Sequence, residues 1–429
     1  MMSSQQPAPH GRSVFWRLWT AHSTSAFGAA VTTVAMPLVA VLELEATTFE
    51  TSVVAAATMV AWLLIGLPSG VIVDRLPLRP VLVVADLVRA AALASVPVAV
   101  YLDSLTLAQL VMVAFVISVA SVIFEVGYST YLPAVVAKDR LTASNSLLQG
   151  SESVAQVAGP ALGGSLVQLL GAAYSLVANV MSYLVSAALL MTVPPPRNGT
   201  PKKPKRNMAV EIREGVQYVR RHPVIRPFVF VGIGFNFTTG AIQALTAVFL
   251  VRTVDANSFA VGFLIAGLGL GGVIGAAVTT SLVKRMGTTR AALLTLFIAP
   301  VSALMMPLTF PGAGLAFFLL GNMGWGASTV TFAIIGRTYR QTAVSPDLIP
   351  RVMATVRFVS WGVIPVGALL AGAFGEAFGN RVSLLIFSLC TLLIPFPMLL
   401  SPMRKTRDLL EVDVSSTDGT TQVRPGADR

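Results

Sequence analysis

Residues 159–164 read GPALGG, in the middle of an apolar run: Gly159, Pro160, Gly163 and Gly164. A soluble helix interior disfavours glycine by about 1 kcal/mol and proline by about 3 kcal/mol relative to alanine. Inside a bilayer such residues are tolerated, because small residues let neighbouring helices approach closely and those neighbours re-satisfy freed backbone groups. A second marker lies upstream, where residues 70–79 read GVIVDRLPLR, a short charged turn between two apolar runs.

Composition agrees with a membrane solvent. The 429 residues are 55% hydrophobic and 11% charged, with a mean hydropathy of +0.76. A soluble chain carries about 25% charged residues. This length would otherwise suggest about three soluble domains, and the sequence lacks the polar surface to coat them. The single cysteine, Cys390, excludes a disulfide framework and a thiol metal site. His10, His22 and His222 show no metal-ligand spacing. The apolar run after the N-terminus is too long for the core of a cleavable signal peptide. No phosphate-binding G-x-x-x-x-G-K-[ST] loop occurs, which argues against an ATPase. We expect no metal, no cofactor and no enzymatic activity.

We count twelve stretches long enough to cross a hydrocarbon core, each needing about 20 residues. They fall at 16–42, 51–73, 80–101, 106–136, 143–169, 172–193, 226–251, 259–283, 290–309, 313–336, 352–378 and 381–402. The long connection 194–225 opens PPPRNGTPKKPKRN and divides them six and six. The expected organisation is an N-terminal six-helix half (1–193), a cytoplasmic linker (194–225), a C-terminal half (226–403) and a disordered cytoplasmic tail (404–429). Residues 208–221 alternate apolar and charged positions at helical spacing, as in an amphipathic helix on the membrane surface.

Placing both termini inside puts 27 of the 30 lysines and arginines on the cytoplasmic side, leaving Arg252 and Arg381 outside and Arg89 within a helix. This is the positive-inside pattern. It also accounts for the net charge of +11 without a nucleic-acid partner. An internal repeat supports the division. A shift of 208 residues superposes Asp139 on Asp347, Gly159 on Gly367, Gly164 on Gly372, Gly171 on Gly379 and Ser175 on Ser383. At a shift of 210, Arg75 of DRLPLR meets Arg285 of KRMGTTR.

The turn at 70–79 resembles the loop between helices 2 and 3 of the major facilitator superfamily, G-x-x-x-D-R-x-G-R-R/K. Gly70, Asp74, Arg75 and Arg79 match, while Pro77 and Leu78 depart from the pattern. GPALGG resembles the end of the helix 5 motif associated with antiporters, although Ser146 and Ala155 replace its earlier glycines. ADLVRA (85–90), YLPAVVAKDRLTASNSL (131–147) and REGVQYVRRHPVIRP (213–227) are similar to the branch containing macrolide efflux proteins and the enterobactin exporter. The resemblance spans about 14–403. It implies an all-α membrane protein of twelve transmembrane helices in two pseudo-symmetric six-helix halves around a midplane cavity.

It also implies a cytoplasmic gate of Gly70, Asp74, Arg75 and Arg79, with Glu125 as an acidic partner on helix 4 and Arg357 near the start of helix 11. Asp86 and Arg89 lie three residues apart on one helical face and read as a self-neutralising pair. Glu152 stands about nine residues, or roughly 13 Å, into its helix, with no basic residue at helical spacing. A lone carboxyl at that depth is expected to face a cavity or carry a proton. Glu152, with Asp86 as second choice, is therefore the candidate for proton coupling; a hydrogen-bonded glutamic acid beside Ser151 and Ser153 is the packing alternative. Trp62, Asn236, Thr239, Gln243, Asn322, Trp325 and Trp361 offer the aromatic walls and sparse polar groups of a cavity for amphipathic molecules, or ordinary helix packing.

The expected function is a secondary exporter of hydrophobic or amphipathic small molecules, such as drugs or secondary metabolites, by proton antiport. Siderophore export, and a non-transporting sensor or assembly protein of the same fold, are the alternatives. The expected setting is the cell membrane, as a monomer whose partners are substrate, protons and lipids.

Overall fold

The computed structural model describes residues 11–66, 69, 73, 76–136, 141–193, 208–345 and 348–412. Among these there are twelve spans long and apolar enough to cross a membrane, and no strand. The first six are α1 (Gly11–Leu42), α2 (Thr48–Ile65), α3 (Leu78–Tyr101), α4 (Leu107–Val135), α5 (Leu141–Leu170) and α6 (Ala172–Met191). The amphipathic connection forms α7 (Met208–Arg221). Then follow α8 (Ile225–Val248), α9 (Ser258–Met286), α10 (Thr288–Met305) and α11 (Leu315–Ala343). Span eleven is two rods, α12 (Ile349–Trp361) and α13 (Ile364–Phe378), separated at Gly362 and Val363. Span twelve is α14 (Asn380–Cys390), a 3-10 turn and a short α15 (Phe396–Leu399), its regular helix broken ahead of Pro395 and Pro397.

Local chemistry sets the ends. Thr47 and Glu50 form a capping box at the start of α2. Thr106 and Asn257 cap α4 and α9 through their side chains. Gly171, Gly287 and Gly379 turn between helices at φ of 88°, 88° and 80°, a left-handed region open to glycine.

The repeat residues have matching roles. A Cβ on Gly159 of α5 would lie 2.2 Å from Ala30 of α1, and one on Gly367 of α13 would lie 2.1 Å from the Phe237 carbonyl oxygen of α8. Five positions on, Gly164 meets Ser258 and Gly262 of α9, while Gly372 meets Ser52 of α2. Spans 5 and 11 thus each use one glycine against a helix of their own half and another against the opposite half. Gly171 and Gly379 share their positive φ, and the buried Ser175 and Ser383 return amide bonds to their carbonyls. This is the pseudo-two-fold arrangement expected of the fold.

The two halves are in tight contact at the end of the bundle away from the termini. A Cβ on Gly262 would sit 2.3 Å from the Pro160 carbonyl oxygen, and one on Gly269 would sit 2.7 Å from that of Gln156. Across the other seam Thr48 donates to Asn380 Oδ1 at 2.8 Å, and Arg252 donates to the Ala46 carbonyl at 2.7 Å. The same face of α5 is uncovered toward its start. A Cβ on Gly150 would meet nothing within 4 Å, and Asn145, Ser146, Gln149, Gly150 and Ser153 line an open cleft of about 650 Å³. The α5–α9 seam is thus closed at one end and uncovered toward the end carrying the termini.

These contacts predict opposite outcomes for two glycines. Gly262→Leu drives a branched side chain into the α5 backbone and should destabilise by about 1–3 kcal/mol, as overpacking does. Gly150→Ala should be neutral or slightly stabilising, because the site is open and alanine favours helix. Thermal unfolding in detergent, followed by intrinsic fluorescence, distinguishes the pair; equal midpoints would contradict the close approach of α5 and α9.

Candidate functional site

The open end gathers two groups of charged and aromatic side chains. The first belongs to the N-terminal half. Glu152 on α5 meets His22 of α1, with Oε1 2.9 Å from Nε2, and its Oε2 accepts from Gln149 at 3.2 Å. The pair lies beside the cleft, the His22 side chain 14% exposed and that of Glu152 39%. The His22 ring stacks on Tyr128 of α4 at 4.5 Å, and the Tyr128 hydroxyl donates to the Leu18 carbonyl at 3.2 Å. His22 Nδ1 is buried without a hydrogen-bond partner.

Glu152 is therefore alone only along its own helix. Its partner comes from α1, which spacing within α5 could not reveal. In the sequence His22 reads only as a possible metal ligand; an ionisable residue inside an apolar span is the signal that could have found it.

Deeper in the same half, Asp86 and Arg89 form a buried ion pair on α3. The guanidinium lies between Phe124 and Tyr183, 4.3 and 4.4 Å from their ring centroids. Cation–π contact and a carboxylate together hold this charge inside the helix layer.

The second group bridges the halves. Arg357 on α12 reaches Glu125 on α4 at 3.6 Å. Its guanidinium lies 4.2 Å from the Trp62 ring on α2 and 4.4 Å from the Trp361 ring, and these two rings meet edge to face at 5.7 Å. Glu125 and Arg357 are about half exposed. Glu125 also lies within electrostatic reach of Glu152 and His22, so the two groups are neighbours.

The remaining candidates separate. Gly70, Asp74 and Arg75 lie outside the described residues. Arg79 donates to the Met191 carbonyl and Arg17 to that of Thr192 at 3.0 Å. Both cations thus sit at the negative end of the α6 dipole, within one half. Asn236 donates to Gly232 of its own helix at 2.8 Å, and Gln243 is exposed. Trp325 is buried, donating to Thr239 at 3.2 Å and packing on Phe235. Buried Asn322 donates to the Leu264 carbonyl at 3.0 Å. These contacts tie α11 to α8 and α9. Gly159, Pro160, Gly163 and Gly164 pack against α1 and α9. No group of three or more His, Cys, Asp or Glu side chains that could hold a metal ion occurs among the described residues.

The α7 helix is docked on α12. Glu214 forms an ion pair with Arg351, and a Cβ on Gly215 would lie 2.4 Å from Thr355 Oγ1 and 2.8 Å from the Arg351 carbonyl oxygen. The connection between the halves therefore rests on the rod that carries Arg357.

Comparisons with known proteins give the same picture. The multidrug efflux pump Tap of Mycolicibacterium fortuitum is 26% identical over 399 residues, 90% of this chain and 95% of that protein. Macrolide efflux protein A of Streptococcus pyogenes is 21% identical, covering 85% of this chain and 90% of its own length. Among solved structures, the nucleoside transporter NupG superposes with a TM-score of 0.72 at 13% identity, over 92% of this chain and 99% of that one. A bacterial homologue of the iron transporter ferroportin, in an inward-facing state, gives 0.72 at 16% identity, over 91% and 98%. The family model described as transmembrane secretion effector matches residues 4–419. The chain belongs to that family of the major facilitator superfamily and is a multi-pass membrane transporter of small molecules, not an enzyme.

Proposed function

We propose that the protein exports amphipathic small molecules from the cell by proton antiport, alternating between states open to either side. The observation that carries this reading is the His22–Glu152 pair, two titratable groups 2.9 Å apart beside the cleft and next to the Glu125–Arg357 bridge. A carboxyl that gains or loses a proton here changes its hydrogen bond to α1 and the field at the bridge. Proton transfer can thereby bias how the halves meet. Asp86 is less suited, because it is already paired with an arginine held between two rings.

The end carrying the termini is assigned to the cytoplasm. The basic residues gather there, and the two on the sealed end have structural work. Arg252 holds the Ala46 carbonyl, while Arg381 donates to the carbonyls of Pro307 at 3.0 Å and Thr309 at 2.8 Å. In this assignment the cleft along α5 faces the cytoplasm while the Glu125–Arg357 bridge still joins the halves. Residues 1–193 and 226–403 form the moving halves, and Gly70, Asp74, Arg75 and Arg79 complete the cytoplasmic gate with Glu125 and Arg357. Trp62, Trp361, Asn236, Thr239 and Gln243 border the substrate path, with Asn322 and Trp325 fixing its wall. The likeness to Tap and to macrolide efflux protein A supports drug-sized organic substrates.

Two measurements check this reading. A reporter active only outside the cell, fused after residue 200, should give no signal; a strong signal would reverse the orientation. Everted vesicles from a pump-deficient strain carrying the wild type should accumulate substrate when a pH gradient is imposed. Glu152→Gln should lower that accumulation by roughly tenfold or more, equivalent to about 1.4 kcal/mol of lost coupling, while leaving substrate counterflow intact. Wild-type accumulation by the variant would make Glu152 structural.

A further inference from the structure

We propose that Trp62, Trp361 and Glu125 form a receptor for a monovalent organic cation, occupied in this structure by the protein's own Arg357. The inference rests on the reading of the chain as a small-molecule exporter and names its substrate class. The geometry is that of a cation site. Two tryptophan rings set edge to face, 5.7 Å apart, present their π surfaces to one guanidinium at 4.2 and 4.4 Å. Tryptophan is the strongest aromatic partner for a cation, and paired rings are how quaternary ammonium groups are recognised. The carboxylate stands 3.6 Å away, longer than the roughly 2.7–2.9 Å of a close charge-assisted bond. Glu125 therefore supplies a counter-charge to the guest.

Accessibility separates this site from the other caged arginine. Arg89, between Phe124 and Tyr183, is sealed in the core at 4% exposure. Around Arg357, the side chains of Glu125 and Arg357 are 58% and 47% exposed, and Trp361 is 41% exposed. A solute can reach these groups. Leu63 beside Gly362 and the exposed Phe358 give an apolar tail a surface next to the charged head.

The guest is also removable. Arg357 is carried by α12, which ends at the Gly362–Val363 break, so its withdrawal need not bend α13. Replacing Arg357 with a diffusible cation exchanges a bridge between the halves for a ligand. An amphipathic cation loading the site would thus release the lock between α4 and α12, and an uncharged molecule of the same shape would not. A tethered guest competes at high effective concentration, which keeps the resting affinity low.

Purified protein in nanodiscs tests this with tetraphenylphosphonium as the probe and uncharged triphenylphosphine oxide as its control, binding being read by calorimetry and tryptophan quenching. Arg357→Gln should bind the cation roughly tenfold more tightly than wild type, as expected for a vacated cation–π site worth about 1–2 kcal/mol. The neutral control should be unchanged. Adding Trp361→Leu or Glu125→Gln to that variant should remove the gain. No gain in Arg357→Gln, an equal gain for the neutral probe, or a gain surviving both added substitutions would overturn the receptor. Should Arg357→Gln fail to give monodisperse protein, wild type is compared with Trp361→Leu. Several-fold weaker cation binding is then expected, and equal binding overturns the proposal. No gradient is present in this assay, so failure of wild-type vesicles to accumulate substrate on a pH gradient refutes the antiport reading alone, and loss of the binding differences refutes the receptor alone.

Discussion

Close backbone approach across the seam between the halves is the constraint on which the rest of this structure depends. In lipid, apolar side chains gain little by leaving one greasy surface for another, so helices cohere through van der Waals fit and polar contacts. That fit is greatest where no side chain intervenes. Gly164 and Gly262 meet backbone to backbone, and Gly372 lies against Ser52. Both seams are tight toward the same end of the bundle, so the α9-facing stripe of α5 is covered beyond Gln156 and bare before Ser153. The position of the cleft, and of the charges beside it, follows from where the small residues stop.

Two caged arginines show how burial divides structural from adjustable charge. Removing one partner of a buried ion pair costs about 3–5 kcal/mol, because the other charge is left without compensation. Asp86 and Arg89 are held under that penalty and belong to the frame of the N-terminal half. Half-exposed pairs such as Glu125–Arg357 are worth about 1 kcal/mol or less by charge alone. The two tryptophans add to that without burying the group. An interaction of this strength can hold two halves together and can also be broken within one transport cycle. The same contrast applies to Glu152, whose partner is a histidine and whose side chain is 39% exposed.

The twelve spans were legible in the sequence because each needs a long apolar run; most boundaries differ by a few residues, while the tenth span continues past 336 to Ala343. The break in span eleven was not, since the FVSWGVIPVG stretch (358–367) stays apolar and carries one proline that a helix start accommodates at its first turn. The glycine offset of 208 residues carries spatial information, because Gly159, Gly164, Gly367 and Gly372 mark helix crossings and Gly171 and Gly379 mark turns. The site was legible in part. Resemblance puts Glu125 and Arg357 in one gate, with Arg357 as a partner for Asp74; in the structure Arg357 reaches Glu125 instead of any described part of the turn. Residue type puts Trp62 and Trp361 on a cavity wall, yet it cannot bring both rings to Arg357, which requires three helices from both halves. His22 was passed over for a related reason: its partner is 130 residues away. Trp325 and Asn322 have the composition of a binding wall, but their polar atoms are spent on Thr239 and the Leu264 carbonyl.

The linker helix adds a mechanical step to this picture. An amphipathic helix floating on the membrane surface would be a passive tether, and the sequence pattern of 208–221 asks for no more. Here α7 is instead fastened to α12 by Glu214–Arg351 and by the close approach at Gly215. The rod α12 then has a tie at each of two levels, to the inter-half connection through Arg351 and to the N-terminal half through Arg357, with the Gly362–Val363 break behind it. The two arginines are six residues apart, a little under two turns, about 9 Å along the rod. A force that draws α12 away from α4 must therefore carry α7 along or break the Glu214 bridge. Separation of α12 from α4 and the position of the linker helix are one coordinate in this geometry, and the small residue at 215 is what makes the coupling tight.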